Sequence, residues 1–245
     1  MKYLRKASPW LLPAILVGAW QLAPTILPTP AAIARTFVDA LLSGSLVADA
    51  LHTLAAACAS WGLCLLIGVP LGMALGASKR LRAALSLFIE LLKPIPAVAL
   101  VPPAVLAFGF SWKTEIAVTV FASLWPVLSS SRTGIERLHD RYFEVAATLH
   151  LGKWHTVRSV ITPAAFRQIL VGAKLSFGLC LVVSVVAEMV GNPAGLGWGL
   201  VSAQEAMKTS EAFAYLFAIG ALGVAANAAL DLAVNLLLPG LHQRR

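Results

Sequence analysis

Five charged side chains fall inside long apolar runs of this sequence: Glu90, Lys93, Lys174, Glu188 and Asp231. A charge in hydrocarbon is costly, so each should face the interior of a helical bundle and find a partner there. Three chemistries fit: a proton or ion relay along the carboxylates, recognition of a charged solute, and structural pairing among the five. Glu90 lies seven residues beyond Ala83 and Lys174 seven beyond Arg167, which puts both about 10 Å from the ends of helices entering from the same side. A buried pair between Glu90 and Lys174 at the mouth of a pathway is the expectation, with Lys93 a second partner for Glu90 at the i,i+3 spacing. Catalysis has no foothold. There is no G-x-x-x-x-G-K-[ST] loop, no H-E-x-x-H, no nucleophile elbow and no paired-carboxylate motif. Cys58, Cys64 and Cys180 lie in apolar runs without metal-ligand spacing and read as small buried hydrophobes. His139, His150 and His155 match no zinc signature. Residues 191–199, GNPAGLGWG, have neither a strand before them nor a lysine to meet phosphate, and read as a flexible outer loop. The sequence calls for no catalytic residue, metal or cofactor.

The elements that must hold these charges are membrane spans. With 59% hydrophobic and 12% charged residues and a mean hydropathy of +0.82, the chain is too apolar for a soluble domain. Its net charge of +8 forms no basic patch with interleaved aromatics, which argues against nucleic acid. Residues 9–27 are uncharged over about the length of a bilayer. No small-x-small cleavage site follows them, so a first span is expected in place of a signal peptide. Residues 28–50 read as an interfacial helix on the outer side. Further spans are expected over 51–78, 83–110, 116–131, 168–190 and 212–241. In the first of these, Gly68, Gly72 and Gly76 share one face and let another helix approach closely. The next is broken by Pro94, Pro96, Pro102 and Pro103, which places it beside protein or a water-filled cavity. In the last, Asn227, Asp231 and Asn235 form a polar stripe.

Six spans put both termini and the central polar segment on one side of the membrane. That side then carries Lys2, Arg5, Lys6, Lys79, Arg80, Arg82, Arg132, Arg137, Arg141, Lys153, Arg158, Arg167, Arg244 and Arg245, most of the 19 basic residues. The excess marks it as cytoplasmic.

The polar segment, residues 134–163, has its own pattern. Ile135, Leu138, Tyr142, Val145 and Leu149 form an apolar stripe opposite Arg137, Asp140, Arg141 and Glu144, as a helix lying on a membrane or docking on a partner would. Gly152 can end such a helix, and Thr162-Pro163 can begin the next as N-cap and first-turn proline. Glu144-Val145-Ala146-Ala147 followed by Val160-Ile161-Thr162-Pro163 resembles the EAA loop in the membrane subunits of binding-protein-dependent ABC importers. The chain departs from that loop at His150, where the family has Gly and this sequence has Gly152 two residues later, and at Thr162, where the family has Leu. The stretches IELLKPIPAVALVPPAVLAFG (89–109), GVPLGMALGAS (68–78) and GAKLSFGL with VVAEMVG are similar to the sulfonate, taurine and nitrate permease branch.

The resemblance implies an all-α, polytopic bundle of about six spans with a cytosolic coupling helix. Residues 1–50 would hold the first transmembrane helix and the outer segment. Residues 51–245 would form the permease domain, with its EAA-type loop at 132–167. It implies an inner-membrane, multi-pass permease without an ATPase site of its own, paired with a second copy, driven by separate ATPase subunits and fed by an external substrate-binding protein. Glu144, Val145, Ala146, Ala147, Gly152 and Pro163 would couple to the ATPase, and Glu90, Lys93, Lys174, Glu188 and Asp231 would lie on the pathway or its gate. The solute implied is a sulfonate, taurine or nitrate-like anion. The alternative class is an ion- or proton-coupled secondary transporter using Glu90, Glu188 and Asp231 as relays.

Overall fold

Thr29 and Pro30 open one helix of the computed structural model, which describes residues 15–16, 18–21, 27–138, 148 and 152–237. The Thr29 side chain accepts the Ala32 N–H, and Pro30 occupies the first turn, where its missing N–H costs nothing. This helix, α1 (Pro30–Leu42), falls within residues 28–50, where an interfacial helix is expected. Gly44 turns the chain at φ +80° into α2 (Ser45–Ala77), which begins six residues before the expected span.

Ser78 caps α3 (Lys79–Leu92) by accepting the Leu81 N–H. A single 3-10 turn (Ala97–Leu100) then leads to α4 (Val101–Phe108). α3 and the 97–108 segment meet at 90°, so the proline-rich stretch is a broken helix, as its missing N–H groups require. Next come α5 (Trp112–Glu136), α6 (Thr162–Gly191), α7 (Gly195–Glu205) and α8 (Thr209–Leu237). Every regular element among the described residues is helical.

α2, α5 and α6 pack side by side as the centre of the bundle, and α8 closes it. Their common core contains Ala57 and Cys64 of α2, Val127 of α5, Phe177 and Cys180 of α6, and Ala226 of α8. Small residues set the spacing between these helices. A Cβ at Gly72 would stand 2.5 Å from the Leu128 carbonyl oxygen, and one at Gly76 would stand 2.6 Å from Ile135 Cβ. The glycine face read from the sequence is the α2–α5 seam. Cys64 and Cys180 are buried as expected, whereas Cys58 is exposed on α2.

Three helices are long and apolar enough to cross a membrane, and the bent α3–α4 pair makes a fourth candidate. α5 has the length, about 37 Å at 1.5 Å per residue. It is less apolar because positions that other spans give to leucine are here Thr114, Glu115, Thr119, Ser123 and Ser131, all fully buried. Trp61 Nε1 donates to the Ala173 carbonyl at 2.8 Å, and Ser176 Oγ donates to the Ser123 carbonyl at 2.7 Å, so polar atoms tie α6 to both α2 and α5.

Two sequence expectations are corrected. Pro163 does stand in the first turn of α6, but Thr162 is not its N-cap and the helix is not separate from what precedes it. A helical turn at Lys153–Thr156 and a π-turn at Val157–Ile161 run directly into α6. Thr162 Oγ1 donates to the Val157 carbonyl at 2.8 Å instead of capping. The wider π-turn accommodates Pro163, whose ring would clash with the carbonyl four residues back. Residues 195–205 are no flexible loop but helix α7, wedged against α6, α8 and α2. Three of its glycines lie too close to neighbours to carry a side chain. A Cβ at Gly197 would sit 2.1 Å from the Val185 carbonyl oxygen, and one at Gly199 would sit 2.2 Å from the Tyr215 ring.

Candidate functional site

Two constellations gather the charges of the bundle. The first lies where α2 and α5 begin and α6 ends. His52 stands on the second turn of α2, Glu115 on the first turn of α5, Glu188 on the last turn of α6, and Asn192 just beyond it. Glu115 and Glu188 are fully buried and Asn192 nearly so. Glu115 Oε2 lies 2.8 Å from Asn192 Nδ2 and 3.2 Å from His52 Nε2, and Asn192 Nδ2 lies 3.0 Å from that same nitrogen. His52, Glu115 and Glu188 each bring one ligand-type atom to within 4.8 Å of the others.

Glu188 is engaged from the other side by α7. The first N–H groups of a helix have no partner within it. In α7 the Gly197 N–H donates to Glu188 Oε2 at 2.8 Å, and the Leu196 N–H donates to Thr53 Oγ1 at 3.0 Å. A carboxylate at that end also meets the positive pole of the helix. Gly195, at φ +89°, places its backbone against the carboxylate, and a Cβ there would stand 2.2 Å from Glu188 Oε1. The glycines and the buried acid are therefore one device, which docks α7 on α6. Tyr215 Oη, donating to Asp49 Oδ2 at 2.8 Å, braces α8 against α2 beside it.

The second constellation is the pair Lys174–Asp231. Lys174 Nζ is 2.6 Å from Asp231 Oδ1, joining α6 to α8. The Lys174 side chain is 33% exposed and that of Asp231 60%. The expected partner, Glu90, is instead exposed on α3. Lys93 donates to Ser129 Oγ on α5 at 3.1 Å. Depth along a helix sets the level of a side chain but not the direction it faces.

At the opposite end from the His52 cluster, Arg82 closes α2. It donates to the Leu75 and Gly76 carbonyls and meets Glu136 Oε1 at 2.8 Å, an oxygen it shares with Arg132. This basic cluster flanks the polar segment. Glu144, Val145, Ala146 and Ala147 lie outside the described residues. Gly152 opens the turn after them, its carbonyl accepting from Thr156 N–H at 3.0 Å and Thr156 Oγ1 at 3.2 Å.

His52, Glu115 and Asn192 were missed from the sequence. His52 and Glu115 stand near span ends, where polar residues are ordinary, and 63 positions separate them. The available signal for Glu115 was its place among Thr114, Thr119 and Ser123, a buried polar stripe at helical spacing.

Residues 68–243 match the family model described as the inner membrane component of binding-protein-dependent transport systems. The chain is 32% identical over 231 residues to a putative aliphatic sulfonates transport permease protein of Bacillus subtilis, covering 89% of this chain and 83% of that one. It is 28% identical to the taurine transport system permease protein of Escherichia coli, covering 94% and 86%. It is 27% identical to the formylaminopyrimidine transport permease protein of Halalkalibacterium halodurans, covering 94% and 90%.

Proposed function

The chain belongs to the inner membrane components of binding-protein-dependent transport systems and is a permease subunit of such an importer; from that premise we propose which solute it passes and how it is driven. The solute is a small organic anion of the sulfonate or taurine class, for which two of its relatives are named. Two copies of the chain form one path. Separate ATPase subunits dock on residues 134–150, and an external binding protein delivers the solute. The chain itself hydrolyses nothing. Six spans, with both termini in the cytoplasm, place that docking segment where a cytosolic ATPase reaches it.

The observation that carries this reading is the Lys174–Asp231 pair. It stands partway along two helices on an open face of the protomer, and charges at that depth do not face lipid. Facing a water-lined path between two copies, Lys174 offers a cation to an incoming anion, with Asp231 as its counter-ion between passages. Exchange of one anion for the other keeps the lysine paired throughout. The gradient-driven alternative needs Glu90, Glu188 and Asp231 as relays. Glu188 is held by α7 and Asp231 by Lys174.

Lys174→Met is expected to lower uptake of a radiolabelled alkanesulfonate at least tenfold in reconstituted importer, while Lys174→Arg keeps most of it. Equal uptake by Lys174→Met and wild type removes the pair from the path. Topology has its own test, with single cysteines at Ser43, Arg137, Ser159 and Lys208 in a chain lacking Cys58, Cys64 and Cys180. An impermeant thiol reagent applied outside is expected to label positions 43 and 208 only. Outside labelling at 137 or 159 inverts the chain and takes the docking segment away from the ATPase.

A further inference from the structure

Two carboxylates buried side by side need a retained proton or a compensating positive charge, because each ion loses its water and repels the other. Among the described residues neither Glu115 nor Glu188 has a lysine or arginine salt bridge, and His52 is the only basic side chain paired with either. Each acid also keeps one oxygen, Oε1, buried with no hydrogen-bond partner. Stranding two carboxylate oxygens in this way is expensive.

The triangle of His52 Nε2, Glu115 Oε2 and the Asn192 amide has edges of 3.2, 3.0 and 2.8 Å. With Glu115 ionised, hydrogen bonds cannot satisfy all three edges. If Asn192 donates along both of its edges, the remaining edge sets two acceptors, Nε2 and a carboxylate oxygen, against each other. If Nε2 carries a proton towards Glu115, it meets the amide donor head on. A cation resolves the conflict. First-row divalent ions bind N and O ligands at about 2.0–2.2 Å, and neighbouring ligands on one such ion are then about 2.8–3.6 Å apart across the 90–109° angles of octahedral and tetrahedral sites. The triangle has those edges. A half-turn of the Asn192 amide presents Oδ1 to the ion in place of Nδ2, and a carboxylate oxygen of Glu188 lies within 4.8 Å of the ligand atoms of His52 and Glu115.

We propose that His52, Glu115, Glu188 and Asn192 bind one first-row divalent cation, of the zinc or manganese kind, which ties together the adjoining ends of α2, α5 and α6 beneath α7. The imidazole ligand selects such an ion over magnesium or calcium, which prefer all-oxygen shells. The cation is structural. It neutralises the acid pair and holds the seat on which α7 docks.

The test uses full-length protein purified in detergent without a histidine tag, stripped with chelator, then incubated with Zn2+ or Mn2+ and desalted. Metal analysis is expected to find about one ion per chain in wild type and less than a tenth of that in His52→Ala and in Glu115→Gln, a variant of matched shape. His155→Ala, which alters an exposed histidine outside the cluster, should retain the wild-type amount. Wild type alone supplies a second readout that does not depend on a variant folding, since its melting temperature should rise on adding back the ion. No retained metal in wild type overturns the site. So does equal retention in all four proteins, which would be adventitious binding.

Discussion

Gly197→Ala is expected to destabilise the protein by about 3 kcal/mol, the upper part of the range for overpacking a close-packed contact. The added methyl would stand 2.1 Å from the Val185 carbonyl oxygen, with Glu188 Cβ a further 2.9 Å neighbour. Neither can retreat cheaply, since Val185 belongs to the backbone of α6 and Glu188 is held by the N–H of Gly197 itself. Relief requires lifting α7 off α6, which exposes the Gly197 N–H and the buried carboxylate together. Gly62→Ala is the control. It adds the same methyl to α2 where nothing lies within 4 Å, and there alanine should gain about 0.5–1 kcal/mol from its better helix propensity. Thermal unfolding in detergent, followed by fluorescence, reads both. Equal melting temperatures for the two variants would mean that α7 does not seat on α6 at this contact.

That contact also marks where the sequence stopped being readable. α2, α6 and α8 were legible because lipid demands a long, nearly unbroken apolar run, and such a run is a local property of the chain. The break between α3 and α4 was legible because proline removes a donor wherever it stands. α7 was not. Glycine is a poor helix former in isolation, so 191–199 reads as a loop. What makes it helical is tertiary: two helices approach so closely that only glycine fits, and a buried acid satisfies the helix end. The His52–Glu115–Glu188 cluster is likewise a product of packing among three helices, with no spacing in the chain to announce it. The polar stripe of the last span was visible, and Asp231 on it takes the ion pair. The partner was misassigned because Glu90 and Lys174 share a depth but not a direction, and rotation about the helix axis depends on neighbours that sequence periodicity does not name.

Glu144→Lys is expected to abolish coupling to the ATPase, at a cost of about 2–5 kcal/mol if the side chain is buried in that interface. By its sequence the position falls on the polar face expected for the segment and matches the acid of the EAA pattern. Ahead of it in the chain, Arg132 and Glu136 at the end of α5 form a charged cluster with Arg82 at the end of α2. Folding of the bundle should be little affected, because the segment's contacts with α2 and α6 among the described residues are made by its apolar side chains Ile135, Leu138, Val157 and Ile161. The permease variant should therefore purify in normal yield and melt normally while recovering less than a tenth of the ATPase subunit. Full recovery of ATPase with normal transport would leave the segment a membrane-surface helix.

The most direct measurement is uptake into vesicles that contain the permease, its ATPase subunits and the external binding protein, with ATP and ion gradients controlled separately. Accumulation of the labelled anion should require ATP inside and binding protein outside, and should persist when ionophores collapse every gradient. Accumulation that continues without ATP and stops with the ionophores would contradict the account.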